Sequence, residues 1–219
     1  MAPNRRVSGM MAKKTYRLLT LLALSAASLF STAMAQVTDL ASLQTQLQRF
    51  EIVRGDFTQS RKIEMFAEPL SSQGKFLLDK AHGLLWQQST PFPVNLVLTQ
   101  DKLRQTFAGQ APQTITAKEN PMAFYFSHIF LSVFHGDTEQ LQSEFDLDFS
   151  VQDEQWTLVL TPKGAPLNAV FKHITLQGQD DINALSLQEV RGDNTEIRFS
   201  AQTHEPQTLS QAEQAQFEF

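Results

Sequence analysis

Cysteine is absent from all 219 residues. That excludes disulfide bonds, thiol nucleophiles, thiolate metal sites and lipid attachment through a modified cysteine. Basic residues are scarce once the first 35 positions are set aside. Those positions hold five of the 18 Lys+Arg and none of the 23 Asp+Glu. Residues 36–219 therefore carry 13 basic against 23 acidic side chains, a formal charge of −10. Such a chain lacks the concentrated basic face that nucleic acid needs, and it is poorly suited to tight docking on anionic lipid. After residue 30 there is no apolar run of about 18 residues, so no membrane-spanning helix is expected there. No Gly-rich phosphate loop follows a strand, and no Gly-x-Ser-x-Gly elbow occurs. The five histidines, His82, His128, His135, His173 and His204, show no recognised metal-ligand spacing. These absences leave no template for an enzyme, a metal centre or a cofactor, and they point towards binding.

What is present starts with an export segment. Arg5, Arg6, Lys13, Lys14 and Arg17 make it basic, Leu18 to Phe30 make it apolar, and Ala33-Met34-Ala35 reads as an A-x-A cleavage site. The expected product is a single domain, residues 36–219, exported to the periplasm and soluble as a monomer. Sixteen of the 17 Phe fall within it, a large apolar inventory for a core or a cavity wall.

The densest apolar stretch is Asn120 to Gly136, NPMAFYFSHIFLSVFHG. Asn120 suits a helix cap, Pro121 the first turn, and Gly136 the position just past the end. Between Met122 and Phe134 only Ser127, His128 and Ser132 are polar. A helix this apolar fills a core or covers an apolar cavity, and it is too short to cross a bilayer. His128 and His135, seven apart, share a face with Ser132 and read as a polar seam rather than a catalytic pair.

The rest of the chain reads mainly as strands. An amphipathic helix over Thr38–Phe50 comes first, with Leu40, Leu43, Leu47 and Phe50 on one face. Strand signals follow at 52–61, with a bend or bulge at Gly55-Asp56, then at 74–79, 84–87, 94–99, 103–107 and 114–117. After the apolar helix and a helical turn near 138–142, Phe145, Leu147, Phe149 and Val151 alternate with Asp146, Asp148 and Ser150. That is a half-buried strand with a solvated carboxylate face. Further strands are expected at 156–161, 170–176, 182–190 and 195–201. The fold class is α+β, mainly β. About ten antiparallel strands form a strongly curved sheet or incomplete, unclosed barrel, with apolar helices on its concave face and room there for a ligand.

Several blocks bear a family resemblance. Residues 47–59, LQRFEIVRGDFTQ, resemble the opening of the LolA-type periplasmic carriers of outer-membrane lipoproteins, with Phe57-Thr58-Gln59 as the strand end. Gly74-Lys75-Phe76, Leu84-Leu85-Trp86 and Pro91 resemble the next block, and Val94 to Phe107 the following hairpin. The helix Asn120 to Phe134 takes the place of the family's lid. Leu158 to Lys163, LVLTPK, matches a recurrent strand end, and Asp181 to Phe199 the closing hairpin. The order of these blocks covers nearly all of residues 36–219.

The resemblance implies an unclosed barrel of about eleven strands. It also implies a carrier that takes acylated cargo from an inner-membrane transporter and hands it to an outer-membrane acceptor. Under that reading Phe57, Phe76, Leu84, Trp86, Leu96, Leu98, Leu158 and Leu160 line the lipid cavity. Met122, Phe126, Phe130 and Phe134 form the inner face of the lid. The family's latch arginine is replaced by Lys80, beside Ala81 and His82, so the latch would combine Lys80 with His128, Ser132 and His135. A lysine offers a point charge in place of a planar fork of donors. The same fold is also compatible with an envelope sensor or interaction module whose apolar surface binds a partner protein.

Overall fold

The computed structural model describes residues 37–219, and the export segment with its cleavage site lies outside them. Helix α1 spans Leu40–Gln48. It is followed by β1 (Ile52–Lys62), β2 (Leu70–Asp79), β3 (Gly83–Thr90), β4 (Val94–Leu98), β5 (Lys102–Phe107) and β6 (Gln113–Thr116). Helices α2 (Pro121–Phe134) and α3 (Thr138–Glu144) come next. Then follow β7 (Phe145–Gln152), β8 (Gln155–Pro162), a 3-10 turn (Leu167–Ala169), β9 (Phe171–Gly178), β10 (Ile182–Glu189), β11 (Asn194–Thr203) and α4 (Gln211–Phe217).

Among the described residues the eleven strands form one antiparallel sheet, in the order β6-β5-β4-β3-β2-β1-β11-β10-β9-β8-β7. The chain runs outward from β1 to the β6 edge. Helices α2 and α3 carry it to the opposite edge, and β7 to β11 run back to meet β1. Strands β6 and β7 do not pair, so the sheet is not closed into a barrel. The bulge expected at Gly55-Asp56 is present as a register shift against β11 between Arg54 and Asp56. A side chain at Gly55 would meet the Phe76 ring at 2.8 Å, so glycine lets β1 bend over that ring.

The sheet buries side chains on both faces. The larger core joins α1, α2 and α3 to one face, with Leu43, Phe57, Phe124, Leu141, Trp156 and Leu160 among its most deeply buried members. A smaller core on the other face contains Ile52, Leu77, Leu85, Val97 and Phe217. Strands β2, β3 and β4 therefore carry unbroken apolar runs, Phe76-Leu77-Leu78, Leu84-Leu85-Trp86 and Leu96-Val97-Leu98. One residue in each run points away from the large core, and Phe217 of α4 covers it.

Helix α4 is held on that outer face by charge as well as by Phe217. Arg54 makes a two-point pair with Glu213, Nε to Oε1 at 2.7 Å and Nη2 to Oε2 at 3.0 Å. It also donates to the carbonyls of Pro206 and Thr208. Ser210 and Glu213 close a capping box. The hydrogen bonds from Arg54, more than the burial that opposes them, bring the Glu213 carboxyl down from 4.5 to about 2. A depressed carboxylate stabilises the fold fully above its unfolded value and loses that contribution as pH falls towards the folded one. Because the two side chains keep 18% and 23% exposure, Glu213→Gln is expected to cost only about 1 kcal/mol at pH 7. The deficit relative to the parent should vanish between about pH 4.5 and pH 2, as urea unfolding across that range would show.

Candidate functional site

Local chemistry fixes both ends of α2. The Asn120 side chain accepts from the Ala123 N–H at 3.0 Å, and Pro121 occupies the first turn. At the other end Gly136 has φ +63, the Asp137 N–H bonds the Ser132 carbonyl at 3.0 Å, and the Gly136 N–H bonds that of Val133 at 3.3 Å. This paired closure needs a left-handed residue at Gly136. A Cβ there would also sit 2.9 Å from the Cβ of Leu47, so glycine lets the end of α2 lie against α1.

Under α2 lies an apolar cavity of about 240 Å³. Phe126, Ile129, Phe130 and Val133 roof it, with Leu98 of β4 on one side. Phe171 and Ile174 of β9, Leu185 and Leu187 of β10, and Leu167 of the 3-10 turn make the remaining wall. Among the described residues none that lines it is charged. Ser127 is its polar member, and that hydroxyl already donates to the Ala123 carbonyl at 2.9 Å. Such walls suit a group with no polar atoms, since any buried polar atom would go unpaired. The volume is below the roughly 300–1,000 Å³ of preformed ligand sites. A longer apolar group must therefore displace part of the roof.

The attachments of α2 differ along its length. Near its C-terminal end Phe134 packs edge-on to Phe199 at 5.6 Å, and Phe199 leads into a cluster with Phe76 and Trp86. Phe57 stacks on Trp86 at 3.6 Å. Beyond Gly136, Thr138 donates to Gln44 of α1 at 2.7 Å. Towards the N-terminal end Phe126 meets Phe171 edge-on at 6.0 Å, and Tyr125 donates to Glu144 at 2.7 Å. Burial, then the bond to Glu144, pushes the Tyr125 phenol up to about 12, so it remains a donor at every relevant pH.

The eight residues expected in the cavity wall all belong to the large core, six fully buried and Trp86 and Leu96 partly so. Leu98 alone among them borders the 240 Å³ cavity. Phe57, Phe76, Leu84, Trp86, Leu96, Leu158 and Leu160 pack elsewhere on the same face. Of the four lid residues, Phe126 and Phe130 face the cavity. Phe134 sits over the aromatic cluster, and Met122 is 51% exposed. The cavity residues outside those expectations are Ser127, Ile129 and Val133 of α2, Leu167 of the 3-10 turn, and Phe171, Ile174, Leu185 and Leu187. The signal for the last four was the apolar pattern of β9 and β10.

The four latch candidates converge. Lys80, His128, Ser132 and His135 line one crevice of about 300 Å³, together with His82 and Gln100. Lys80 Nζ donates to the Gln48 carbonyl at the end of α1 at 2.8 Å. His128 Nε2 lies 2.8 Å from the Gln100 carbonyl in the β4–β5 turn, an atom that only accepts, so His128 carries its proton there. Ser132 donates to the His128 carbonyl at 2.9 Å. Burial, then the charge of Lys80, lowers the pKa of His135.

A family model for outer-membrane lipoprotein carrier proteins of the LolA-like type matches residues 32–216. No curated protein matches the chain. Solved structures with some likeness include a LolA superfamily protein from Nitrosomonas europaea, at TM-score 0.43 and 8% identity, covering 80% of this chain and 97% of that one. A putative outer membrane lipoprotein-sorting protein domain from Vibrio parahaemolyticus gives 0.43 and 8%, over 79% and 93%. The MucA/MucB complex of Pseudomonas aeruginosa gives 0.46 and 14%, over 80% and 62%.

Proposed function

Because the chain belongs to the LolA-like family of outer-membrane lipoprotein carrier proteins, we propose that it shelters the acyl chains of a lipoprotein or another lipid beneath α2 and carries them between membranes. The observation that supports this most is the cavity under α2, whose lining holds no charged residue and one hydroxyl already engaged within its own helix. Acyl burial is worth about 0.8 kcal/mol per CH₂, so a few methylenes hold cargo without trapping it. Larger cargo would lift the N-terminal half of α2. The Phe134–Phe199 contact and the Gly136 junction with α1 would keep the other end in place.

Several finer features belong to the same proposal. Residues 1–35 direct export and are removed, and the working compartment is the periplasm. The cargo arrives from an inner-membrane transporter and leaves to an outer-membrane acceptor. Lys80, His128, Ser132 and His135 set how firmly the lid closes. Among the described residues no helix is long and apolar enough to cross a membrane.

Titration with a fluorescent acyl-chain probe tests the reading. Saturable uptake of one probe per protein is expected, tightening with chain length by about fourfold per added CH₂ until the space is filled. Uptake that does not depend on chain length would contradict an acyl-binding cavity.

A further inference from the structure

The crevice on the polar side of α2 has groups for which the cargo cavity has no use. Lys80, His82 and His135 open into it, and no carboxylate is among its lining residues. Asp79, next to Lys80 in the chain, is already occupied. Its Oδ1 accepts from the N–H groups of Ala81 at 2.8 Å and His82 at 3.0 Å, and it lies 3.0 Å from His82 Nδ1. That leaves His82 Nε2 without a protein partner in the crevice. Lys80 spends one of its three N–H donors on the Gln48 carbonyl. Among the described residues His135 Nε2 is buried with no hydrogen-bond partner.

A buried, unpaired imidazole nitrogen beside a partly desolvated ammonium is an arrangement a protein rarely leaves unfilled. Lys80 has donors to spare, and the His135 ring, once protonated, becomes a second donor that lacks an acceptor. We propose that this crevice is an oxyanion site whose ligand is a phosphate group, held between Lys80 on the sheet side and His135 on the lid side, with His82 at its edge. A phosphate offers several strong acceptor oxygens and can bridge two donors that do not touch each other. Such a bridge would brace the lid against the β2–β3 turn. The crevice, at about 300 Å³, also has room for the first carbons of a phosphate ester.

The surrounding charges set the pH dependence. His135 is faced by Lys80 and Asp79 from β2 and its turn, by Glu51 ahead of β1, and by Asp137 from the α2–α3 junction. His82 and His128 line the same space. With His135 neutral, three carboxylates outweigh Lys80, and the site disfavours an anion. Protonation of His135 adds a second cation at the site and moves the balance towards an anion. Anion binding should therefore tighten as pH falls through the histidine range, and the bound anion should raise the His135 pKa from its lowered value.

The test is an NMR titration of the imidazole protons in the whole protein with inorganic phosphate, sn-glycerol 3-phosphate and, as neutral control, glycerol. The site predicts saturable shifts at His135 and His82 with both phosphates and none with glycerol. It predicts affinity about tenfold or more tighter at pH 6 than at pH 8. Lys80→Gln should weaken binding about tenfold or more, and Lys80→Arg should retain it. Tighter binding of glycerol 3-phosphate than of phosphate would identify an esterified headgroup as the natural ligand, and equal or weaker binding a free oxyanion. The absence of saturation, or saturation that ignores both pH and Lys80→Gln, would overturn the proposal and leave the crevice holding water alone. The pH comparison uses the unaltered chain, so it does not depend on any variant folding. No acyl cargo is involved, so the result is independent of the carrier reading.

Discussion

Replacing Ser127 and Val133 together by Phe is expected to weaken acyl-probe uptake by about tenfold or more while leaving the melting temperature unchanged or raised. Both residues border the 240 Å³ cavity, so the new rings enter space that is already empty. Excluding two methylenes of cargo at about 0.8 kcal/mol each removes about 1.6 kcal/mol, a little over tenfold in affinity. Filling an existing void avoids the 1–3 kcal/mol or so that overpacking a dense core costs. The Ser127 hydroxyl is spent within its own helix on the Ala123 carbonyl, so its loss leaves no partner across the cavity unpaired. Probe titration and thermal unfolding of the same samples separate the two effects. A variant that unfolds easily yet binds normally would show that the cavity is core packing and nothing more.

Trp156→Ala should have the largest effect on stability. Trp156 keeps 1% exposure and heads the fully buried side chains by volume. Its Nε1 donates to the Gln179 carbonyl at 2.9 Å, and a Cβ on Gly178 would meet its ring at 2.4 Å. The ring therefore closes the turn between β9 and β10 where β8 begins. Removing it should cost about 3–5 kcal/mol, a large share of the 5–15 kcal/mol typical of a domain. Urea unfolding measures this as a lower midpoint with an unchanged slope. Loss of less than about 1 kcal/mol would mean that this corner collapses around the gap.

Features governed by neighbouring residues were legible in the sequence. Asn120, Pro121 and Gly136 marked both ends of α2 because capping is a property of a few adjacent positions. Gly55-Asp56 marked the bulge for the same reason. Helical spacing placed His128, Ser132 and His135 on one face, and the family resemblance added Lys80 from a distant turn. Helix α4 went unread because QAEQAQF carries one large apolar residue, Phe217, and no apolar stripe. Two signals were available for it. One was the Ser210 to Glu213 capping box. The other was the unbroken apolar runs of β2, β3 and β4, which demand cover on a second face.

The cavity was the least legible feature. Alternation along a strand reports which face a side chain occupies, as it did for Phe145, Leu147 and Phe149, which pack into the large core. It does not report where facing side chains fail to meet. The void lies where Leu98 stands apart from Leu185 and Leu187 beneath Phe126 and Phe130. That gap depends on how β4 and β10, separated in the sheet by four strands, approach each other under α2.

Native mass spectrometry of the protein recovered from cells without detergent or denaturant tests the central claim most directly, followed by incubation of the stripped protein with an acylated peptide. The carrier account predicts a population heavier than the bare chain by one acyl-bearing molecule, and one-to-one reloading by the acylated peptide but not by its unacylated counterpart. A bare mass before and after incubation, or equal binding of both peptides, would contradict it.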